Sequence, residues 1–292
     1  MCDQDQLDSW ASGRLDRRNF VASSVGGAGL FGMLSACRPA DAGDDETELV
    51  ETAVQFPSDG AMADGEFIHS AVGTSPGVVF WPDIAGIRDA NRIMARRLAR
   101  EGYAVLLLNP YYRDAAGEQF SDFAAFAEQD GFARVDPWRE KLTPEAVSTD
   151  ARTAVEWLRS RGPVDRNRQV AVQGYCMTGS FALYAAAAYP EHVRAAASFH
   201  GGGLVGPDAD SPNQTFSKGR ANYLIAIAQN DDARTPTDRE QLIADAKAAG
   251  RTATIQVFLA DHGWCVPDSP AYDEVQANHA WALMLDLYKR SL

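Results

Sequence analysis

Short apolar runs alternate with longer stretches of helical spacing along most of this chain. The runs fall near Leu49–Phe56, Glu66–Val72, Gly77–Trp81, Ala104–Leu108, Gln169–Gln173, Ala195–His200, Tyr223–Ala228 and Ala253–Leu259. Each is short and bounded by polar or turn residues, which reads as a strand. Helical spacing marks Arg88–Glu101, Phe120–Gln129, Pro144–Arg161, Met177–Tyr189, Thr237–Ala248 and Tyr272–Lys289. Strand and helix in alternation predict an α/β fold with a mostly parallel, doubly wound sheet and helices on both faces. The first two runs are expected to pair as an antiparallel hairpin at one edge. No long insertion follows the later strands, so no large lid is expected. Gly131–Lys141, with Trp138, reads as a short flap.

One segment carries more chemistry than the rest. The run Val170–Gln173 ends at Gly174-Tyr175-Cys176-Met177-Thr178-Gly179, and an Ala-rich helical pattern starts at once. This is the layout of a nucleophile elbow, a strand, a sharp turn and a helix with the reactive side chain at the apex. A thiolate there would be stabilised by the unpaired N–H groups and dipole of the helix N-terminus. The glycines leave room for the tight turn. The N–H of Met177 is placed to donate to an oxyanion. A cysteine nucleophile also needs a base and a group to orient that base. Tyr223–Ala228 runs into Gln229-Asn230-Asp231-Asp232, and Ala253–Leu259 runs into Ala260-Asp261-His262-Gly263-Trp264. Cys176, Asp231 and His262 thus each follow an apolar strand, in the order nucleophile, acid, histidine. Asp232 is the alternative acid.

These motifs together resemble the dienelactone hydrolase family, the cysteine-dependent branch of the α/β-hydrolases. The resemblance rests on Gly174-Tyr175-Cys176-Met177-Thr178-Gly179, Ala228-Gln229-Asn230-Asp231 and His262-Gly263-Trp264. It extends to Trp81-Pro82-Asp83-Ile84-Ala85-Gly86-Ile87, Ala99–Leu108 and Asn109-Pro110-Tyr111-Tyr112-Arg113, and covers roughly residues 50–290. It implies an α/β-hydrolase fold and hydrolysis of a lactone or carboxylic ester by a Cys176–His262–Asp231 triad, with Met177 and Ile84 N–H groups as the oxyanion hole. It also implies that Asp83, where the family has glutamate, helps to activate the thiol, and that Arg113 contacts a substrate carboxylate. The family's second arginine is replaced by Val266, and Thr178 stands for a glycine. A broader carboxylesterase or thioesterase, or a tethered binding protein on an inactive scaffold, are the alternative readings.

The first 36 residues read as an address rather than as fold. Asp16-Arg17-Arg18-Asn19-Phe20-Val21 fits a twin-arginine export motif, and Leu34-Ser35-Ala36-Cys37 fits a lipobox. The expected organisation is a signal peptide over 1–36, a flexible linker over 37–48 and one hydrolase domain over 49–292. Lipidation of Cys37 would hold the domain on the periplasmic side of a membrane, the only membrane contact expected. Gly27-Ala28-Gly29-Leu30-Phe31-Gly32 matches a dinucleotide fingerprint, but no strand precedes it. No cofactor is expected, and the cysteine spacings do not suit a metal.

The chain has 292 residues and a formal net charge of −13, which excludes the basic face a nucleic-acid binder needs. The expected partner is a small ester or lactone. His69, His192 and His279 are expected in packing or surface roles, and Cys265 as a packed thiol. His200 ends a strand before Gly201-Gly202-Gly203, on the rim where ligands bind such sheets, and is a pocket candidate. Tyr111 and Trp264 are further candidates for lining the cleft.

Overall fold

The computed structural model describes residues 47–292. The expected signal peptide, Cys37 and most of the expected linker lie outside the described residues.

Eight strands form one sheet: β1 (Leu49–Ser58), β2 (Ala61–Ser70), β3 (Gly77–Trp81), β4 (Ala104–Leu108), β5 (Val170–Tyr175), β6 (Val193–Phe199), β7 (Asn222–Ala228) and β8 (Ala253–Phe258). Their order across the sheet is β1-β2-β4-β3-β5-β6-β7-β8. β1 and β2 form the expected antiparallel hairpin. Its two-residue turn, Asp59-Gly60, takes φ of 46° and 75°. Paired positive φ angles match the right-handed strand twist, and Asp-Gly tolerates them. β2 meets β4 antiparallel, and every later pairing is parallel.

Parallel strands need crossovers, and these are helical. They include α1 (Asp89–Arg100), then α2 (Phe123–Glu128), α3 (Gly131–Arg139) and α4 (Pro144–Arg159). After β5 come α5 (Gly179–Ala188), α6 (Gln229–Arg234), α7 (Asp238–Ala248) and the C-terminal α8 (Glu274–Ser291). Alternate residues of each central strand feed two cores. Val79 and Trp81 of β3 pack with α4, α5 and α7 through residues such as Leu158, Phe181 and Leu242. Val78 and Phe80 pack with α1 and α8 through Leu98, Trp281 and Met284. This is the doubly wound α/β-hydrolase architecture, with the active-site rim at the carboxyl ends of the parallel strands.

A smaller apolar cluster lies on that rim. Ile84, Ala85, Tyr111, Phe120, Phe123, Phe126, Val135 and Cys176 form it. The expected flap is more ordered than its sequence suggests. Asp130 takes a left-handed conformation (φ 53°) that reverses the chain between α2 and α3, and α3 continues through Pro137. Short helices with an internal proline leave no readable period. No large lid covers the rim among the described residues.

Candidate active site

The turn after β5 is strained as an elbow should be. Cys176 has φ of +55°, a left-handed conformation rare for a residue with a Cβ. A 3₁₀ turn over Cys176–Thr178 leads directly into α5. The neighbouring glycines are required by space: a Cβ on Gly174 would sit 2.0 Å from the Thr178 carbonyl oxygen, and one on Gly179 would sit 2.5 Å from the Gly201 Cα. Thr178 is fully buried and does more than fill the place of a glycine. Its Oγ1 accepts the Tyr175 N–H at 2.9 Å and lies 2.8 Å from the Pro82 carbonyl, to which it can donate. That bond fastens the elbow to the segment after β3.

Asp231 and His262 meet across two strand ends. Asp231 lies in the first turn of α6, just past β7, and its Oδ2 is 2.6 Å from His262 Nδ1. Of the two adjacent carboxylates, it is Asp231 that reaches the imidazole. Asn230 Oδ1 accepts the His262 backbone N–H at 2.8 Å, so the ring is held at both its backbone and its side chain. Burial disfavours a charged imidazole, but the Cys176 sulfur and the Asp231 bond outweigh it and raise the His262 pKa to about 9. Burial likewise works against ionised Asp231, and the His262 hydrogen bond and charge more than offset it, holding its pKa below the ordinary carboxylate value.

Cys176, His262, Ile84, Met177, Arg139, Gly202 and Gly203 line one cavity of about 120 Å³. Ile84 is fixed from behind, because its carbonyl accepts the Tyr111 hydroxyl at 2.8 Å. The cavity therefore presents a cysteine on a strained turn, an acid-bound imidazole, the two residues expected to supply oxyanion N–H groups, and one guanidinium. Among the described residues no group of three or more His, Cys, Asp or Glu side chains is arranged to hold a metal ion.

Comparison with known proteins fits this geometry. A model of the dienelactone hydrolase family matches residues 66–292. The chain belongs to the dienelactone hydrolase family. It is a hydrolase of the carboxylic ester and lactone class. A Synechocystis sp. protein provisionally named carboxymethylenebutenolidase is 24% identical over 252 residues, covering 84% of this chain and 98% of that one. A Rhodococcus opacus carboxymethylenebutenolidase is 29% identical over 133 residues, 44% of this chain and 46% of that one. Among solved structures, a Klebsiella pneumoniae protein provisionally named dienelactone hydrolase superposes with a TM-score of 0.69 at 24% identity, covering 83% of this chain and 99% of that one.

Several residues named from the family resemblance stand away from the cavity lining. Arg113, expected to hold a substrate carboxylate, does not line the cavity. Its guanidinium donates to Asp150 at 2.8 and 2.9 Å and to Asp59 at 2.7 and 3.2 Å, and it lies over the Tyr112 ring. Tyr111 is buried behind the cavity wall and braces Ile84. Trp264 is buried in the core against Phe258, with ring centroids 4.5 Å apart. His200 is also buried outside the cavity lining. It packs edge-on against His262 at 4.8 Å, with φ of +40°. Burial, and then the neighbouring His262 charge, lower the His200 pKa to about 3, so this second ring stays neutral. The glycines that follow His200 reach the cavity instead.

Asp83 is committed as well. Its Oδ1 accepts the Ala85 N–H at 2.9 Å, and both oxygens are taken by Arg88 at 2.8 Å. Burial raises the Asp83 pKa, with Arg88 opposing. Cys176 and Cys265 form no disulfide, and burial pushes the Cys265 thiol well above its usual pKa. The sequence reading missed Arg139 in the cavity and Arg88 beneath it. Arg139 carried no signal within the flap. Arg88 stood at the start of a helix rich in charged residues, where a solvated role is the default expectation.

Proposed function

We propose that the chain hydrolyses small carboxylic esters or lactones through a thioester on Cys176, with His262 as acid–base and Asp231 as its partner. The observation that carries this reading is the 2.6 Å Asp231–His262 bond behind a small cavity that His262 lines together with a cysteine of left-handed backbone. The thiolate–imidazolium pair is the resting form. Cys176 Sγ attacks the carbonyl carbon, and the C=O electron pair moves onto oxygen, held by the N–H groups of Ile84 and Met177. The tetrahedral centre then collapses. The C–O bond breaks, His262 gives its proton to the leaving oxygen, and a thioester remains. In a lactone that oxygen stays tethered to the acyl group.

The same charges explain the return step. Acylation removes the thiolate charge, one of the groups that keeps the His262 pKa near 9. The imidazole becomes easier to hold neutral and takes a proton from water as the water attacks the thioester; the tetrahedral centre then collapses, the C–S bond breaks, the acid leaves and the Cys176 thiolate is restored beside the His262 imidazolium. Asp231 keeps the required tautomer throughout. Neutral His200 adds no competing positive charge behind the ring.

The cavity selects the substrate class. Its volume of about 120 Å³ is below the ~300–1,000 Å³ usual for drug-sized ligands, which favours compact acyl groups over long chains. Arg139 also lines the cavity; its Nη1 donates to the exposed Asp136 carboxylate at 2.9 Å, and its remaining N–H donors are the ones that would favour esters and lactones with an anionic substituent over neutral ones. The deciding experiment is burst kinetics with a short p-nitrophenyl ester. Wild type should release a stoichiometric burst of nitrophenol, and Cys176→Ala should release none. Full turnover by Cys176→Ala would reject the mechanism.

A separate proposal concerns location. The twin-arginine and lipobox motifs support export and anchoring through Cys37. Wild-type protein should then fractionate with membranes and Cys37→Ala should not. Recovery of uncleaved wild type in the soluble fraction would reject this.

A further inference from the structure

A fully buried arginine lies beneath the cavity and touches none of the reacting groups. Arg88 is 0% exposed, at the N-terminal boundary of α1. One edge of its guanidinium binds Asp83, from Nη1 and Nη2 at 2.8 Å each. Another edge binds Asp268, from Nε at 2.7 Å and Nη2 at 2.8 Å. Nη1 also reaches the Gly86 carbonyl at 3.1 Å. Arg88 is thus a double fork, each edge facing one carboxylate.

The two carboxylates belong to different catalytic loops. Asp83 precedes Ile84, and its Oδ1 also fixes the Ala85 N–H. Asp268 follows His262 in the loop after β8. Its Oδ2 accepts the Phe123 N–H at 2.9 Å, which ties the first turn of α2 into the same network. The elbow is already joined to Pro82 through Thr178. Arg88 therefore closes a chain of contacts from nucleophile turn to oxyanion loop to histidine loop. An ion trio with two buried members adds little net stability, because the cost of removing those two charges from water offsets most of the attraction. It does fix the spacing of the loops it joins.

Resting on the thioester mechanism proposed above, we infer that Arg88 is a positioning residue: with Asp268 it holds the Ile84 oxyanion donor in register with His262. The imidazole does not depend on this link, since Asp231 and Asn230 orient His262 separately, and the backbone of the Cys176 turn is set by β5 and the start of α5 rather than by Arg88. The link should therefore govern how well the transition state is held, leaving substrate affinity and thiol ionisation alone. Misplacing a catalytic donor by about 1 Å costs on the order of 10²-fold in rate.

The test compares wild type, Arg88→Lys and Asp268→Asn in the full chain. Lysine keeps the charge but cannot fork across two carboxylates. Three quantities are read: kcat and KM on a short p-nitrophenyl ester, the pH profile of Cys176 alkylation by iodoacetamide, and the melting curve. The expected result is a kcat about 10- to 100-fold lower in both variants, with KM within about twofold and the alkylation profile unmoved. Unchanged kcat in either folded variant overturns the proposal. So does a kcat loss matched by an equal loss of alkylation rate, which would mean a general collapse of the site. If Arg88→Lys does not fold, Asp268→Asn, whose side chain is partly exposed, decides by the same criteria. Cys176→Ala run alongside separates the two claims. If it retains turnover, the mechanism itself fails and this proposal falls with it. If it is inactive while the Arg88 and Asp268 variants are fully active, only the positioning role fails.

Discussion

The two sides of the Cys176 cavity are held in place by different means. On one side, Cys176, Asp231 and His262 each stand within a few residues of a parallel strand end. Their spacing follows from the pairing of β5, β6, β7 and β8. On the other side, Ile84 and Arg139 sit on segments fixed by partners far away in sequence. Tyr111 holds the Ile84 carbonyl, Trp138 packs on Tyr111 at 5.4 Å, and Arg88 bridges to Asp268. The difference separates chemistry from choice of substrate. In the proposed mechanism the sheet supplies the acyl-transfer groups rigidly. The loops and short helices supply the walls, and these can change without disturbing the sheet.

The sharpest way to break that division is at the sheet-borne side. Asp231→Asn keeps the shape but removes the charge that orients and supports the imidazolium. Turnover should fall by about 10²–10⁴-fold, the range seen when a triad acid is neutralised. The pH profile should move with it. His262 has its pKa raised to about 9, so the falling limb of kcat/KM, where the ring loses the proton it must donate, is expected near pH 9 in wild type. Asp231 is one of the groups raising that value. Its loss lowers the His262 pKa, and the falling limb should shift to lower pH. A limb that stays in place would show that Asp231 does not set the charge of the ring.

The same division governs what could be read from the chain alone. All eight strands and the hairpin were legible, because apolar runs between turn residues report burial directly. Cys176, Asp231 and His262 were legible because each abuts such a run. On the wall side, Ile84 was named through the family resemblance alone, and Arg139 was not named at all. Arg113 follows β4 in a motif that looks like a ligand-binding stretch, yet Asp150, in the middle of α4, claims it. Arg139 lies in a short helix with a proline, where no periodicity points it inward. Which long side chain meets which carboxylate depends on the packing of elements distant in sequence, and local pattern does not encode that. Thr178 shows the reverse case: a departure from the family motif became an added tie once Pro82 was seen beside it.

On the wall side, Arg139→Met should sharpen the comparison with a smaller effect. Methionine keeps much of the length and removes the charge. Activity on anionic short-chain esters should fall about tenfold in kcat/KM, a loss of roughly 1.4 kcal/mol that fits a partly solvated charge contact. Neutral esters of equal size should be unaffected, and the alkylation profile of Cys176 should not move. Equal losses on both substrate types would remove Arg139 from specificity and return it to a packing role.

The smallest effect on catalysis is expected at Arg113, and it is the one that tests the division from within the family motif. Arg113→Met removes the bonds to Asp59 and Asp150. It leaves Asp150, which is buried, with only the Ser58 hydroxyl at 3.0 Å and the Tyr112 hydroxyl at 2.5 Å as side-chain donors among the described residues. Stripping a partner from a buried carboxylate costs stability, about 1–3 kcal/mol here because two donors remain. For a domain of this size that lowers the melting temperature by roughly 2–12 °C. Asp150 joins α4 to the β1–β2 hairpin, so the loss should appear as earlier unfolding rather than slower turnover. Kinetics on anionic and neutral esters should both stay within about twofold of wild type, since the Arg113 guanidinium is taken up by Asp59 and Asp150 and Arg113 is not among the residues that line the cavity. A selective loss on anionic esters at unchanged melting temperature would mean that Arg113 leaves Asp150 for the substrate, and the wall of the site would then have to be redrawn with two guanidinium groups.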